Sequence, residues 1–162
     1  MVVKKVNKRM VFLRKIKSFG ASKDEMVHLW VQYCRSVLEQ SAVLWQAGLT
    51  EENRNSLERT QKAFVKLILG RQYKTYKQAL LQLNLTNLDT RRTTLSLRWA
   101  KKCIENGKMA HMFPLSKKKK RYNTRHREKY IVFKANTERM RRSPVIYIQK
   151  LLNKDNEKTL NR

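Results

Sequence analysis

The chain has 162 residues, which suits one domain or a compact domain with a tail, and 41% of its residues are hydrophobic, enough for a modest core. Glycine (4 residues) and proline (2 residues) are scarce, which favours helices over β-sandwiches and low-complexity disorder. Its 38 Lys+Arg and 12 Asp+Glu give a net charge of +26, which disfavours a compact state unless a polyanion neutralises it, so nucleic acid is the favoured partner and an anionic membrane surface the weaker one.

The positive charge is concentrated in particular segments. Residues 1–20 carry seven positive charges and no negative one, and residues 114–142 carry a net charge of +10. Residues 21–60, by contrast, have a net charge of −2. A mixed, solvated surface would not separate the charges in this way, so we expect specific basic surfaces that contact nucleic acid.

No stretch of the sequence predicts membrane insertion or secretion. The apolar runs fall short of the ~18 residues that span a bilayer, and the early lysines are not followed by the apolar region of a signal peptide. Cys34 and Cys103 each lie among apolar residues, which is typical of buried free thiols in a reducing compartment. We therefore expect a nuclear or cytoplasmic protein.

Apolar residues at spacings of three and four predict a first helix over residues 2–18. Its apolar stripe consists of Val3, Val6, Met10 and Leu13. The opposite face carries a row of cations, Lys4, Lys8 and Lys15, with Lys5 and Arg9 beside them. This helix is therefore predicted to bury one side and to present positive charge on the other.

A capping box formed by Ser22 and Glu25 predicts the start of a second helix, which ends at Gly48. Apolar residues recur along it at close to 3.5 residues, so we expect one continuous helix at the centre of a bundle. Its stripe is predicted to comprise Met26, Trp30, Tyr33, Val37, Ser41 and Leu44, widened by Val27, Cys34, Leu38 and Trp45.

Three further helices are predicted before residue 107. Thr50 caps the third helix and Gly70 ends it, a short helix covers about residues 75–84, and the last covers about residues 88–106. The predicted core of the bundle is Met10, Leu13, Trp30, Tyr33, Val37, Leu44, Leu57, Phe64, Leu95 and Trp99.

The sequence thus predicts an all-α fold, a bundle of four to five helices over residues 1–114 with a basic, partly disordered C-terminal tail. Within that tail, residues 115–142 are predicted to form a basic, mobile segment. Ser143 and Pro144 predict the start of a short amphipathic helix in residues 143–162.

The sequence shows no arrangement that predicts catalysis. Polymerisation by two metal ions needs carboxylates held close together, but Asp24, Asp89 and Asp155 are the only aspartates and lie far apart in sequence. The three histidines show no metal-ligand spacing with the cysteines, and no Gly-rich phosphate loop is present. We therefore expect a binding protein without cofactor or metal, and not an enzyme on its own.

The segment VNKRMVFLRKIKSFG at residues 6–20 is followed by a series of shorter segments in a specific order. They are Tyr33, SVL at 36–38, AVLW at 42–45, LERTQKA at 57–63, ILG at 68–70, LNL at 83–85, RR at 91–92, LRWAKKC at 97–103, FP at 113–114, TER at 137–139 and RSPV at 142–145. In order and spacing, over about residues 1–153, they resemble the region after the palm in jockey-like, LINE-type non-LTR retrotransposon reverse transcriptases.

Such RNA-directed DNA polymerases make cDNA by priming on nicked target DNA, and this region resembles their helical thumb and C-terminal tail. The resemblance implies that the chain grips a primer–template duplex, either RNA–DNA or DNA, beside a palm domain in a longer polyprotein. The sequence contains neither the paired aspartates of that palm nor the Cys/His zinc knuckle that some relatives carry. The resemblance thus implies binding without catalysis by this chain alone.

The residues expected to contact nucleic acid are all cations. In the helical region they are Lys4, Lys5, Lys8, Arg9, Lys15, Arg91, Arg92, Arg98, Lys101 and Lys102. In the basic segment they are Lys117, Lys118, Lys119, Lys120, Arg121, Arg125 and Arg127. Such side chains contact phosphates and position the duplex without reading its bases.

Two other functions stay open at this point. The chain also fits an unrelated basic RNA-binding protein that uses residues 117–127 as its arm, and a translated retrotransposon remnant without a partner. The basic run itself also has the composition of a nuclear-localisation signal or of a solvated linker.

Overall fold

The structure is a computed structural model that describes residues 2–116 and 129–160, with side chains up to residue 157. Most of these residues are helical. The predicted all-α fold is confirmed, with more helices than expected. They are α1 (Val2–Ser18), α2 (Lys23–Leu29), α3 (Ser36–Glu39), α4 (Ala42–Trp45), α5 (Glu51–Leu69), α6 (Tyr76–Gln82), α7 (Leu88–Glu105), α8 (Glu138–Arg141) and α9 (Pro144–Leu160). No helix among the described residues is long and apolar enough to cross a bilayer.

The chain divides into two compact units. The first comprises residues 1–42 and 49–92, and the second comprises residues 43–48 and 93–162. This division differs from the one that the sequence suggested, in which a single bundle ended at residue 114. Residues 117–128, part of the predicted mobile segment, lie outside the described residues.

Helix α1 packs against α5 in the first unit, and both helices have the predicted bounds to within one residue. Val6, Met10 and Leu13 are buried on α1 as predicted, and Leu57, Phe64 and Ile68 are buried on α5. The Trp30 ring stacks on the Phe64 ring, with centroids 4.3 Å apart and planes inclined by 12°. This stacked pair lies in the core of the first unit.

The second predicted helix is interrupted by a π-helical turn, Trp30–Arg35, that joins α2 to α3. A π-turn closes its hydrogen bonds over five residues instead of four, so each residue rotates less about the helix axis than in an α-helix. Up to and through this turn, the buried side chains follow at steps of four: Met26, Trp30, Cys34 and Leu38. Predicted core residues Tyr33 and Val37 fall beside this stripe, with Tyr33 42% exposed and Val37 half-buried.

The same helix also ends earlier than predicted. Ser41 has a left-handed backbone conformation, with φ of 54°, which interrupts the helix between α3 and α4. Spacing counted across such a break does not describe one helix face. The core prediction for Leu44 is therefore wrong, since its side chain is 66% exposed.

On helix α7, Leu88 is fully buried, as its place in the apolar pattern predicts, but the other fully buried positions are not the predicted ones. Leu95 and Trp99, both predicted core residues, are half-buried. The positions that lose all contact with solvent are Leu88, Arg92, Ser96 and Ala100, each four residues after the last. A hydrophobicity pattern gives no weight to Arg92 and Ser96, so it placed the buried face one residue away from its true position.

The second unit has its own apolar core. Its buried members are Ala100, Phe113, Tyr130, Ile148 and Leu152. The Asn153 side chain donates to the carbonyl of Tyr130 and accepts from its N–H, both at 2.9 Å. Next to this pair, the Ser116 N–H donates to the Lys129 carbonyl at 2.8 Å. Ser116 and Lys129 are therefore held next to each other in this unit.

The shifted stripe of the second helix leads to a direct test with two identical substitutions. We expect Leu38→Ala to lower the free energy of unfolding by about 2–5 kcal/mol, because Leu38 is fully buried and its loss leaves a cavity. Leu44→Ala should cost less than about 1 kcal/mol, because this side chain is already exposed. Urea unfolding followed by circular dichroism measures both, and equal losses would contradict the observed facing.

The two cysteines differ in burial, and their reactivity should differ with it. Both thiols are free, with Cys34 fully buried and Cys103 half-buried. Burial raises the pKa of Cys34 to about 11, opposed in part by the Arg9 guanidinium. Since the thiolate is the reacting form, we expect Cys34 in the folded protein to be alkylated at pH 8 far more slowly than Cys103. Mass spectrometry of iodoacetamide-treated protein measures both rates, and equal rates in folded protein would contradict the burial of Cys34.

Candidate nucleic-acid interface

The lysine face predicted on α1 is exposed. Helix α1 carries seven cations and no acid. Its charged residues are Lys4, Lys5, Lys8, Arg9, Arg14, Lys15 and Lys17. The side chains of Lys4, Lys5, Lys8 and Lys15 are exposed. Within residues 2–116 and 129–157, none of these four lysines forms an ion pair. Their ammonium groups are available to an external anion.

The buried stripe of α1 holds this row of lysines in a regular arrangement. Val6, Met10 and Leu13 are at most 3% exposed, so the helix cannot turn about its axis without exposing its core side. A helix rises 1.5 Å per residue, so Lys4 and Lys15 lie about 16 Å apart along its axis. A rigid row of that length can face several phosphates of one duplex strand, which follow one another every 3.4 Å along the duplex axis.

Two acidic residues of the first unit, Glu39 and Asp89, form ion pairs with its own arginines. The Glu39 carboxylate lies 2.5 Å from the Arg91 Nε and 3.8 Å from the Arg35 Nε. The Asp89 carboxylate lies 3.6 Å from an Arg92 terminal nitrogen. These carboxylates are neutralised within the fold and leave the α1 lysines uncompensated.

This arrangement corrects the prediction for Arg92. Its side chain is fully buried, so it does not face a phosphate from outside. Burial lowers the pKa of Arg92, and the nearby carboxylates of Asp89, Glu58 and Glu39 oppose that shift. Arg91 is partly exposed, but its guanidinium is bound to Glu39. The Arg91–Arg92 pair is therefore part of the internal polar structure of the first unit and not of its α1 face.

A buried polar network joins α5 to α6 and to the start of α7. The Glu58 carboxylate accepts a hydrogen bond from the Tyr76 hydroxyl and another, at 3.1 Å, from the Leu88 N–H. The Gln61 amide donates to the Tyr76 hydroxyl oxygen at 3.1 Å and to the Thr86 carbonyl at 2.9 Å. Burial, followed by the hydrogen bond to Glu58, raises the pKa of Tyr76. Three helices of the first unit are thus tied together by side chains that the hydrophobic pattern did not select.

The remaining predicted cations belong to the second unit or lie outside the described residues. Arg98 and Lys102 are exposed on α7, while the Lys101 ammonium lies 2.7 Å from an Asp155 oxygen. Outside the description are Lys117, Lys118, Lys119, Lys120, Arg121, Arg125 and Arg127. The cations that the structure brings together on one face are therefore those of α1.

Sequence reasoning missed an aromatic group on the same face. The Arg9 guanidinium lies over the Tyr33 ring, 4.3 Å from its centroid, and donates to the Tyr33 carbonyl. The Phe12 ring meets Tyr33 edge-on, with centroids 5.8 Å apart, and the two side chains are 50% and 42% exposed. We call Arg9, Phe12 and Tyr33 the aromatic patch. Its signal in the sequence was Phe12, an aromatic residue set between Lys8 and Lys15 at helical spacing.

The C-terminal end of α1 has a different chemical character. An open groove there is lined by Ile16, Phe19, Gly20, Ala21, Asp24, Glu25, His28 and Leu29. A backbone hydrogen bond from Ser22 is the main cause that lowers the pKa of Glu25, whose carboxylate is charged at neutral pH. Asp24 and Glu25 give this groove a negative charge that repels phosphate, so the groove is separate from the α1 lysine face.

Among the described residues, no group of three or more His, Cys, Asp or Glu side chains could hold a metal ion. No protein-family model, curated protein or solved structure matches the chain. Any assignment of function therefore depends on the geometry of the α1 face and on the sequence resemblance given above.

The buried network generates a prediction about stability. We expect Tyr76→Phe to lower the free energy of unfolding by about 1–3 kcal/mol, because it removes a hydroxyl that both Glu58 and Gln61 contact. Tyr73→Phe is the matched control, since its ring lies 5.3 Å from the Lys66 ammonium and keeps that contact without the hydroxyl. Urea unfolding of both variants measures the difference. Equal stabilities of the two variants would rule out a structural role for the network.

Proposed function

We propose that the chain is a nucleic-acid-binding helical region of the kind that forms the thumb and C-terminal tail of jockey-like, LINE-type reverse transcriptases. In this role it holds a primer–template duplex, RNA–DNA or DNA, through phosphate contacts. One observation carries the proposal: the exposed row of α1 lysines, free of ion pairs within the described residues and set opposite a buried stripe. The resemblance of residues 6–20 falls on the same helix.

The chemistry of this face suits phosphates better than bases. Lysine ammonium groups are compact point charges that neutralise phosphates without a geometry that distinguishes one base from another. Each neutralised phosphate releases condensed counterions, so affinity should depend strongly on salt and weakly on sequence. A rigid helix presents its lysines at regular intervals, which favours the regular phosphates of a duplex over a flexible single strand.

The proposal assigns binding to this chain and polymerisation to a palm domain of a longer polyprotein. Asp24 and Asp89 each lie in the first turn of a helix, where an acid is favoured by the helix dipole. The proposed place of action is the nucleus or the cytoplasm, where nucleic acid templates are found. The arrangement requires no cofactor in this chain.

The salt dependence of duplex binding tests the α1 face. We expect log K for a blunt duplex to fall linearly with log[salt], and the variant with Lys4→Ala, Lys8→Ala and Lys15→Ala to flatten that slope by about 2–3 units, at roughly 0.9 units per phosphate contact. Binding should weaken to a similar extent for duplexes of different sequence. Fluorescence anisotropy of a labelled duplex at several salt concentrations measures the slope.

A charge-matched control separates this face from general positive charge. The control variant combines Lys62→Ala on α5, Lys74→Ala just before α6 and Lys77→Ala on α6. It removes the same charge from exposed positions. We expect this control to change the slope by less than about 1 unit, since it removes none of the proposed phosphate contacts. If both triple variants flatten the slope equally, the α1 face is not the binding surface.

The RNA-binding alternative rests on residues 117–127, and a third variant distinguishes it. Replacing Lys117, Lys118, Lys119 and Lys120 by alanine should weaken duplex and single strand alike. Under the thumb proposal, only the α1 variant also reduces the preference for duplex over single strand. If the α1 variant binds duplex as tightly as the unmodified protein and the 117–120 variant loses all binding, the basic segment is the binding site and the thumb proposal fails.

A further inference from the structure

The aromatic patch is exposed although its members are large and partly apolar. Phe12 and Tyr33 are 50% and 42% exposed, whereas Trp30 and Phe64 of the same unit are fully buried. Single exposed apolar side chains are common and need no explanation. Two aromatic rings in contact beneath a guanidinium, in the middle of a lysine row, form a surface with a definite chemistry.

The patch is held in place by contacts on several sides. Arg9 is fixed both by the Tyr33 ring and by the Tyr33 carbonyl. Tyr33 belongs to the π-helical turn, whose buried neighbours Trp30 and Cys34 anchor it in the core. Phe12 lies on α1 between the buried residues Met10 and Leu13. The rings and the guanidinium are therefore pre-organised, and a ligand that stacks on them has little side-chain entropy to remove.

Unpaired bases stack on such surfaces. Aromatic rings and arginine guanidinium planes are the groups on which proteins stack bases that have left a duplex. Lys8 and Lys15 lie about one turn before and one turn after Phe12 on α1, and Lys5 lies one turn before Arg9; all three are exposed and can supply charge for the neighbouring phosphates. An apolar protein partner would gain nothing from this rim of cations, so charge complementarity favours a polyanion.

We propose that the aromatic patch binds an unpaired nucleotide base beside the duplex held by the α1 lysines. The inference rests on the proposed function and deepens it, because it assigns the unpaired nucleotides next to the duplex to a named set of side chains. The base stacks on the patch, and the phosphates on either side of it contact the lysine row.

Two matched probes test the proposal with the full-length chain. One is a blunt duplex, and the other is the same duplex with a short single-stranded overhang that contains 2-aminopurine. We expect the overhang to bind roughly 5- to 150-fold more tightly than the blunt duplex, the range measured for stacking a base on an aromatic ring. Binding should also change the 2-aminopurine fluorescence, because stacking quenches it.

Variants identify the residues responsible. Phe12→Leu and Tyr33→Leu keep an apolar side chain but remove the ring, and each should abolish most of the overhang preference and the fluorescence change. Tyr33→Phe should keep both, because stacking uses the ring and not the hydroxyl. Phe19→Leu is the matched control, since Phe19 is an aromatic residue of the same region, 88% exposed, outside the patch. Thermal melting by circular dichroism checks that every variant folds.

The outcomes separate this inference from the proposed function. If the unmodified protein binds the blunt duplex with a slope that the α1 lysine variant flattens but shows no overhang preference, the patch does not bind bases and this inference alone is overturned. The same conclusion follows if Phe19→Leu reduces the preference as much as Phe12→Leu does. If the overhang preference depends on Phe12 and Tyr33 while the α1 lysine variant keeps its slope, the patch is a single-strand site and the thumb role fails.

Discussion

Burial at steps of four along the second helix is the constraint on which the first unit depends. Trp30 must stay in the core to stack on Phe64, and Leu38 must stay there two turns later. The π-turn at Trp30–Arg35 lies between them, and because each of its residues rotates less about the helix axis, it offsets the drift that steps of four accumulate in an α-helix. Tyr33 lies in the same turn and contacts Arg9 and Phe12. The packing of the core and the exposure of the aromatic patch are thus two results of one local helix geometry.

Three acidic residues of the first unit have partners within it. Glu39, Glu58 and Asp89 bind arginine, tyrosine and backbone partners within the unit. Since burying an unpaired charge is costly and burying a paired one much less so, the half-buried Glu39 and Glu58 depend on these partners. The consequence for α1 is that nothing within its own sequence neutralises its seven cations. A basic outer face and an internally paired polar network are therefore complementary features of one fold.

The helices and their starts could be predicted because caps are local. Ser22 with Glu25, Thr50 and Ser143 are each read from a few adjacent residues, and the structure has helices starting after all of them. Which side of a helix is buried was harder to predict where the helix is irregular. Tyr33 was misplaced because a π-turn changes the rotation per residue, and Leu44 because a left-handed residue intervenes. The prediction that Arg92 contacts nucleic acid is wrong, because a hydrophobicity pattern does not reveal that a polar side chain is buried. The α1 lysines, in contrast, are exposed where their spacing predicted.

The hydrogen bond between Ser116 and Lys129, together with the clamp of Asn153 on Tyr130, has a practical consequence for protein engineering. Ser116 and Lys129 are neighbours in the second unit, so the two ends of any segment placed between them lie close together. The entropy of closing a chain between two such points grows slowly, by about 0.6 kcal/mol for each doubling of its length. A fluorescent or affinity tag inserted between residues 116 and 129 should therefore preserve the hydrogen bonds at Ser116, Tyr130 and Asn153.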